Sequence, residues 1–213
     1  MLVAVPSLAG VTLTVERDEA VCRGSEYDNV NLHPYTYDPN DTGLHVGSWS
    51  SMDEIARSYL AFDLSPLDGQ PSVVDARMYV YLKELMGTGA EPIDAYLAGD
   101  SWTETTITWN NAPPPVGAAL DSNGGPFAGG QWFSWDVTSA VVSQLAGDKA
   151  LTVVLREENE SFSIHSWKYF VEEEHTTTNK AYLDVTCAPG LPAFALVGAV
   201  PIIGCVARKL RRR

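Results

Sequence analysis

The sequence predicts an all-β sandwich with one short helix, followed by a C-terminal hydrophobic helix. Three observations predict it. Apolar and polar residues alternate with period two in several short runs. Clusters of Gly, Pro, Asn, Asp and Ser stand between those runs, where strands must end. After residue 187 the alternation gives way to a continuous apolar run closed by basic residues. Many short strands separated by turn signals suit two packed layers of sheet.

In chain order, Met1 to Leu13 is apolar apart from Ser7 and Thr12, with no Lys or Arg before it. Residues 1–10 read as the remnant of a signal segment without its basic start, and residues 11–15 as the first strand. Residues 22–56 are irregular and rich in Asp, Asn, Tyr, Pro and Ser. So long a loop in a compact domain usually carries function. Ser58, Leu60, Phe62 and Leu64 then alternate with Arg57, Tyr59, Ala61 and Asp63, and Ser65–Gly69 breaks the strand. Met78, Val80 and Leu82 alternate with Arg77, Tyr79, Tyr81 and Lys83. Ile93–Ala98 is a further strand. A loop then places Trp102, and a short strand ends at Trp109, stopped by Asn110, Asn111 and Pro113. Both tryptophans read as core anchors. Gly117–Gly130 reads as a loop and Gln131–Val137 as a strand. Thr138–Leu145 has helical spacing and a C-cap at Gly147. Leu151–Arg156, Phe162–Phe170 and Ala181–Val185 complete the strands.

The stretch Trp102-Thr-Glu-Thr-Thr-Ile-Thr-Trp109-Asn-Asn-Ala-Pro113 resembles the DNRLRE domains, a family also classed as carbohydrate-binding module family 96 and related to the disaggregatase repeats. Gly43–Gly47 with Arg57–Leu64, Trp132–Thr138, Leu151–Arg156 and Ala181–Thr186 fall in the family's order. The resemblance covers roughly residues 12 to 187. It implies a jelly roll over residues 11–187 that binds carbohydrate without catalysis. In a jelly roll the terminal strands lie close, so Cys22 and Cys187 are either a disulfide or two free thiols. Such modules often hold a structural Ca²⁺ near the paired termini, which here points to Asp18, Glu19 and Asp184. Family members that bind alginate use a basic groove. Residues 1–207 hold only nine positive charges against 27 negative, so that ligand does not carry over.

The formal charge of the whole chain is -13. Five of its 14 positive charges are Arg208, Lys209, Arg211, Arg212 and Arg213, so the body is more acidic still. Phosphate backbones would repel it, which excludes nucleic acid as a partner. Residues 191–207 carry no charge and would span about 26 Å as a helix, against a hydrocarbon core of about 30 Å. Basic residues 208–213 would stay in the cytoplasm and residues 1–187 would face outside. Residues 188–190 form the linker. Pro189-Gly190-Leu191 with this helix and its Arg cluster resembles the sorting signals read by exosortases and archaeosortases. Either a membrane anchor or a processed, lipid-linked end follows.

No Gly-x-Ser-x-Gly, His-Glu-x-x-His or phosphate-cradling glycine loop is present, and His33, His45, His165 and His175 are scattered. The sequence therefore predicts no catalytic residues. Sugar binding needs exposed rings flanked by polar groups. Tyr35, Tyr37, Trp49, Trp132 and Trp167 are the ring candidates, with Arg57, Arg77, Lys83 and Lys168 beside them. Asn40 and Asn159 each open an Asn-x-Ser/Thr sequon. The expected function is a cell-surface carbohydrate-binding module with an envelope glycan as partner. The alternatives are a structural or adhesive envelope protein that self-associates, and a polysaccharide lyase.

Overall fold

The computed structural model describes residues 8–24, 27–32, 43–70, 72–174 and 178–188. These residues form eleven strands and one α-helix. The strands are β1 (Ala9–Thr14), β2 (Arg17–Arg23), β3 (Gly43–Trp49), β4 (Glu54–Asp63), β5 (Val73–Gly87), β6 (Ile93–Ala98), β7 (Val116–Asn123), β8 (Gln131–Asp136), β9 (Ala150–Glu157), β10 (His165–Val171) and β11 (Tyr182–Cys187). The helix α1 is Thr138–Leu145. The sheet runs β1-β11-β5-β10-β3-β4-β9-β6-β7, with β2 added to β4 and β8 added to β5.

The sheet curls, so that side chains from both halves of it meet. Met78, Val80 and Leu82 of β5 share one core with Leu60 and Phe62 of β4, Val153 of β9 and Leu183 of β11. Alternation explains which side each strand buries. Along β5 every second residue from Ala76 to Leu82 is buried, while Asp75, Arg77, Tyr79 and Tyr81 stay partly open. On β4 the pattern fails, because Tyr59 and Ala61 are buried as fully as Leu60 and Phe62. The outer face of β4 is roofed by residues 99–115, whose Trp102 and Ile107 pack on Val21, Tyr59, Ala61 and Val154.

The roof differs from the short strand that the sequence predicts up to Trp109. Residues 102–113 form no strand. The Thr103 carbonyl accepts the Thr106 and Ile107 amides, and the Thr108 carbonyl accepts those of Asn111 and Ala112. Asn111 closes the second turn with both ends of its side-chain amide, on the Thr108 amide and the Thr106 carbonyl. The Tyr59 hydroxyl donates to the Pro113 carbonyl at 2.8 Å, and Trp102 Nε1 donates to Thr152 Oγ1 at 3.2 Å. Trp102 is thus the core anchor that was expected, and Trp109 is half-buried beside it.

Further differences have local causes. β7 stands where a loop was expected. It is a mostly exposed edge strand paired only with β6, so it has no apolar alternation to read. β3 lies in the region expected to be irregular, and the last two residues of β2 reach into it. Gly47 of β3 explains one unusual pairing: a Cβ there would sit 2.1 Å from the Ser166 carbonyl of β10, so only glycine permits the approach. α1 begins and ends as expected, but the left-handed residue after it is Lys149 (φ 66°) rather than Gly147. Cys22 and Cys187 are free thiols and not a disulfide. Cys22 packs with Ala56 and Trp167, whereas Cys187 belongs to the main core. Among the described residues no helix is long and apolar enough to cross a membrane. Residues 191–213, on which the anchoring expectation rests, lie outside the described residues, as do Tyr35, Tyr37 and Asn40.

Candidate functional site on the outer face of the sheet

The outward side chains of β8, β5 and β11 build the most conspicuous surface. Antiparallel register sets Tyr79 of β5 opposite Tyr182 of β11, and Tyr81 of β5 opposite Trp132 of β8. Paired residues point to the same face, so all four rings emerge on one side. Tyr79 and Tyr182 stack with centroids 4.8 Å apart. Trp132 meets Tyr81 edge-on at 5.3 Å and Tyr182 edge-on at 5.3 Å. One ring cluster therefore crosses three strands, and Trp132 remains 39% exposed. Burial, the neighbouring Tyr79 and the Asp184 carboxylate hold the Tyr182 phenol above its ordinary pKa, so it stays a neutral hydroxyl.

Charge frames the lower edge of this cluster. Arg77, two residues before Tyr79, lies in register with Asp136 on β8 and Asp184 on β11. Its guanidinium stands 3.7 Å from Asp75 and 3.8 Å from Asp136. Asp136 accepts the Thr138 amide at 2.9 Å, and bonds from Thr138 hold its carboxyl below the usual range, so it is ionised. Thr12 donates to Asp184 at 3.4 Å from the neighbouring strand β1.

A second aromatic cluster lies on β3 and β10 and is closed. Trp49 stacks on His165 at 5.7 Å and tilts against Trp167 at 5.5 Å; His45 meets Trp167 and Tyr169. Tyr27 and Leu32 pack over this group, and Trp167 is only 2% exposed. Trp49 is half-buried and donates its Nε1 to Ser51 at 2.6 Å. Trp167 is therefore a packing residue, with no face left for a sugar. His165 contributes its ring to the same stack, and its Nε2 is buried without a hydrogen bond.

Two of the basic candidates, Lys168 and Arg57, are engaged elsewhere. Lys168 is fully buried on the core side of β10 and not on the surface. It donates to Glu157 at 2.6 Å, to Ser166 at 2.7 Å and to the Glu91 carbonyl at 3.1 Å. Burial pushes Lys168 down and Glu157 up, and each charge opposes the shift of the other. Arg57 makes a two-pronged bond to Glu160, both contacts at 2.7 Å, and lies 4.3 Å over Trp109. It pins the roof over β4 and does not front a binding face. Of the nine ring and cation candidates, Tyr35 and Tyr37 lie outside the described residues; among the rest Trp132 stands in the open aromatic cluster, with Arg77 at its edge. Tyr79, Tyr81 and Tyr182 were missed, although the alternation in β5 already sends Tyr79 and Tyr81 outward. Asn159 is exposed in the turn after β9.

The acidic group expected around Asp18, Glu19 and Asp184 is rearranged. Asp184 stands apart on the aromatic face. Asp18 meets instead Glu104 of the roof and Glu174 after β10, with carboxylate oxygens all within 4.8 Å of one another. The Asp18 carboxylate accepts the Glu173 amide at 3.1 Å. Burial drives the Asp18 carboxyl well up, and Glu174, Glu172 and Glu104 add to this. Glu19 is pushed up to about 9, by burial first and then by Asp18, Glu172 and Glu104. Oxygen ligands at this spacing suit a hard dication such as Ca²⁺, which would relieve the mutual repulsion.

The family model for carbohydrate-binding module family 96 matches residues 35–186, a span that includes Tyr79, Tyr81, Trp132 and Tyr182. No curated protein matches the chain. The match takes in well over half of the sequence, and the chain belongs to carbohydrate-binding module family 96.

Proposed function

We propose that the protein is a non-catalytic module that holds a polysaccharide against Tyr79, Tyr81, Trp132 and Tyr182. The observation that carries this reading is the continuity of the four rings across β8, β5 and β11, with Trp132 39% exposed. A pyranose ring presents an apolar C–H face, and aromatic rings offer a rigid apolar surface at little entropic cost. Hydroxyl groups at the sugar's rim would meet Arg77, Asp136 and Asp184. Family membership supports binding without turnover. So does the sequestration of His45 and His165 among aromatic rings and of Lys168 beside Glu157.

In this reading the curled sheet is a jelly roll displayed outside the cell. The apolar residues 191–207 and basic residues 208–213 hold it to the membrane, or are exchanged for a lipid after recognition of Pro189-Gly190-Leu191. Ca²⁺ at Asp18, Glu104 and Glu174 has a structural part, since it ties β2, the roof and the chain after β10 together.

The test is retention of the protein in native gels cast with polysaccharides, with and without Ca²⁺, for the native chain and Trp132→Ala. Retarded migration that the substitution abolishes, with unchanged melting, is the expected result. Unretarded migration in every gel would overturn this function. Ca²⁺-dependent assembly in those conditions would then favour a structural envelope protein.

A further inference from the structure

We infer that the ligand of this face is an uncharged polysaccharide and not a uronate polymer; the inference rests on the binding face proposed above. The charge placed around the rings carries this inference. A uronic acid chain carries one carboxylate on each sugar, so its site needs cations that are not already neutralised. Arg77 and Lys83 are the cations of the outward row of β5; Lys83 has a partner of its own, and carboxylates enclose Arg77. Asp136 and Asp184 flank it in register from both neighbouring strands, and Asp75 precedes it by two residues on its own strand. Two of the three contact it as ion pairs, at 3.7 and 3.8 Å. A uronate seated on Trp132 and Tyr182 would bring its charge toward Asp136 and Asp184 before it reached Arg77. Asp136 cannot escape this by protonation, because the Thr138 bonds keep it ionised.

The same groups serve a neutral sugar well. Carboxylates accept hydrogen bonds from sugar hydroxyls, and charged acceptors make stronger bonds than neutral ones. The exposed Thr12 and Thr14 of β1, opposite Asp184 and Tyr182, extend the hydroxyl-rich margin. The acidic body, with nine positive and 27 negative charges over residues 1–207, opposes a polyanion at longer range as well. Like-charge groups at a site's rim act chiefly by excluding the wrong ligand.

The experiment measures binding of the full chain and Trp132→Ala to two sets of polysaccharides. One set is neutral: xylan, galactomannan and a soluble β-glucan. The other is polymannuronate, polyguluronate and polygalacturonate. Each is tested at low and moderate salt. Expected is binding to at least one neutral polymer, weakened about tenfold or more by Trp132→Ala and insensitive to salt, with no binding to the uronates. Uronate binding that Trp132→Ala removes would overturn the ligand class while leaving the face intact. Binding of any polymer that Trp132→Ala leaves unchanged would overturn the face and this inference together. Failure to bind every polymer would overturn both as well.

Discussion

The outer side of this sheet carries two aromatic clusters, and they have opposite fates. On β3 and β10, Trp49, His165, Trp167, His45 and Tyr169 interlock, and Tyr27 and Leu32 close over them. On β8, β5 and β11, Trp132, Tyr81, Tyr79 and Tyr182 interlock in much the same way with Trp132 left open. Local sequence does not separate the two, since both arise from aromatics at every second position of paired strands. What separates them is the chain laid across them. Residues just after β2 pack over the first cluster, as residues 99–115 roof β4. Aromatic residues on a strand thus acquire a packing or a binding part from what crosses above them.

Substitutions can break this contrast. Trp167→Ala removes a fully packed indole and should destabilise the fold by about 3 to 5 kcal/mol, read as a lowered urea midpoint. Trp132→Ala should shift the same midpoint by less than about 1 kcal/mol. Equal losses would mean that the two clusters do not differ as described. Lys168→Ala belongs with Trp167→Ala. It strands the buried Glu157 carboxylate and should also lower stability by about 3 to 5 kcal/mol, although Lys168 was a surface candidate by sequence. A Lys168→Met, Glu157→Leu pair should recover most of that loss, and failure to recover it would point to a wider role for the pair.

Charge sharpens the contrast on the open side. Asp75→Asn with Asp136→Asn releases Arg77 while keeping an acceptor for Thr138, and it should confer measurable, salt-sensitive retention by uronate polymers. No gain would show that the carboxylate frame is not what excludes them.

Stability at moderate pH supplies a smaller effect. The folded pKa of Glu19, about 9, exceeds its ordinary value of 4.5, and that of Asp18 is also raised. Between those values the folded state binds more protons than the unfolded state, so stability falls as pH rises. Without divalent cations the melting temperature should therefore climb from pH 8 to pH 5. Ca²⁺ should flatten that slope by neutralising the charged forms, as differential scanning calorimetry would reveal. A melting temperature that instead rises with pH would contradict the burial of these carboxyls without a cation.

Much of this was legible in the sequence, for reasons that also mark where legibility ends. β5, β8 and β11 follow from period-two spacing because each buries one regular set of side chains, and α1 follows from helical spacing; β4, β6 and β9 were legible from their apolar runs and flanking turn signals, although both of their faces are largely buried. β7 was illegible because an exposed edge strand has no buried set. The stretch ending at Trp109 read as a short strand because Thr-Ile-Thr is β-prone, but its backbone bonds go to Thr103 and Thr108 within turns. Trp132 was found as a ring outside the core alternation. Tyr79 and Tyr81 could have been found, since they alternate with Met78 and Val80, but as pattern-makers of a strand they were not weighed as ligands. Tyr182 is their neighbour only through the β5–β11 register, a pairing across some hundred residues of sequence that no local pattern encodes. Lys168 and Trp167 looked like surface groups for the matching reason: which side of β10 is covered depends on distant segments.

The most direct measurement is oxidative footprinting of the tryptophans by mass spectrometry, with and without a polysaccharide that retards the protein. The account predicts that Trp132 oxidises readily in the free protein and is shielded in the complex, while Trp167 is unreactive in both. Shielding at Trp49 with Trp132 unchanged would contradict it and would move the binding face to β3 and β10.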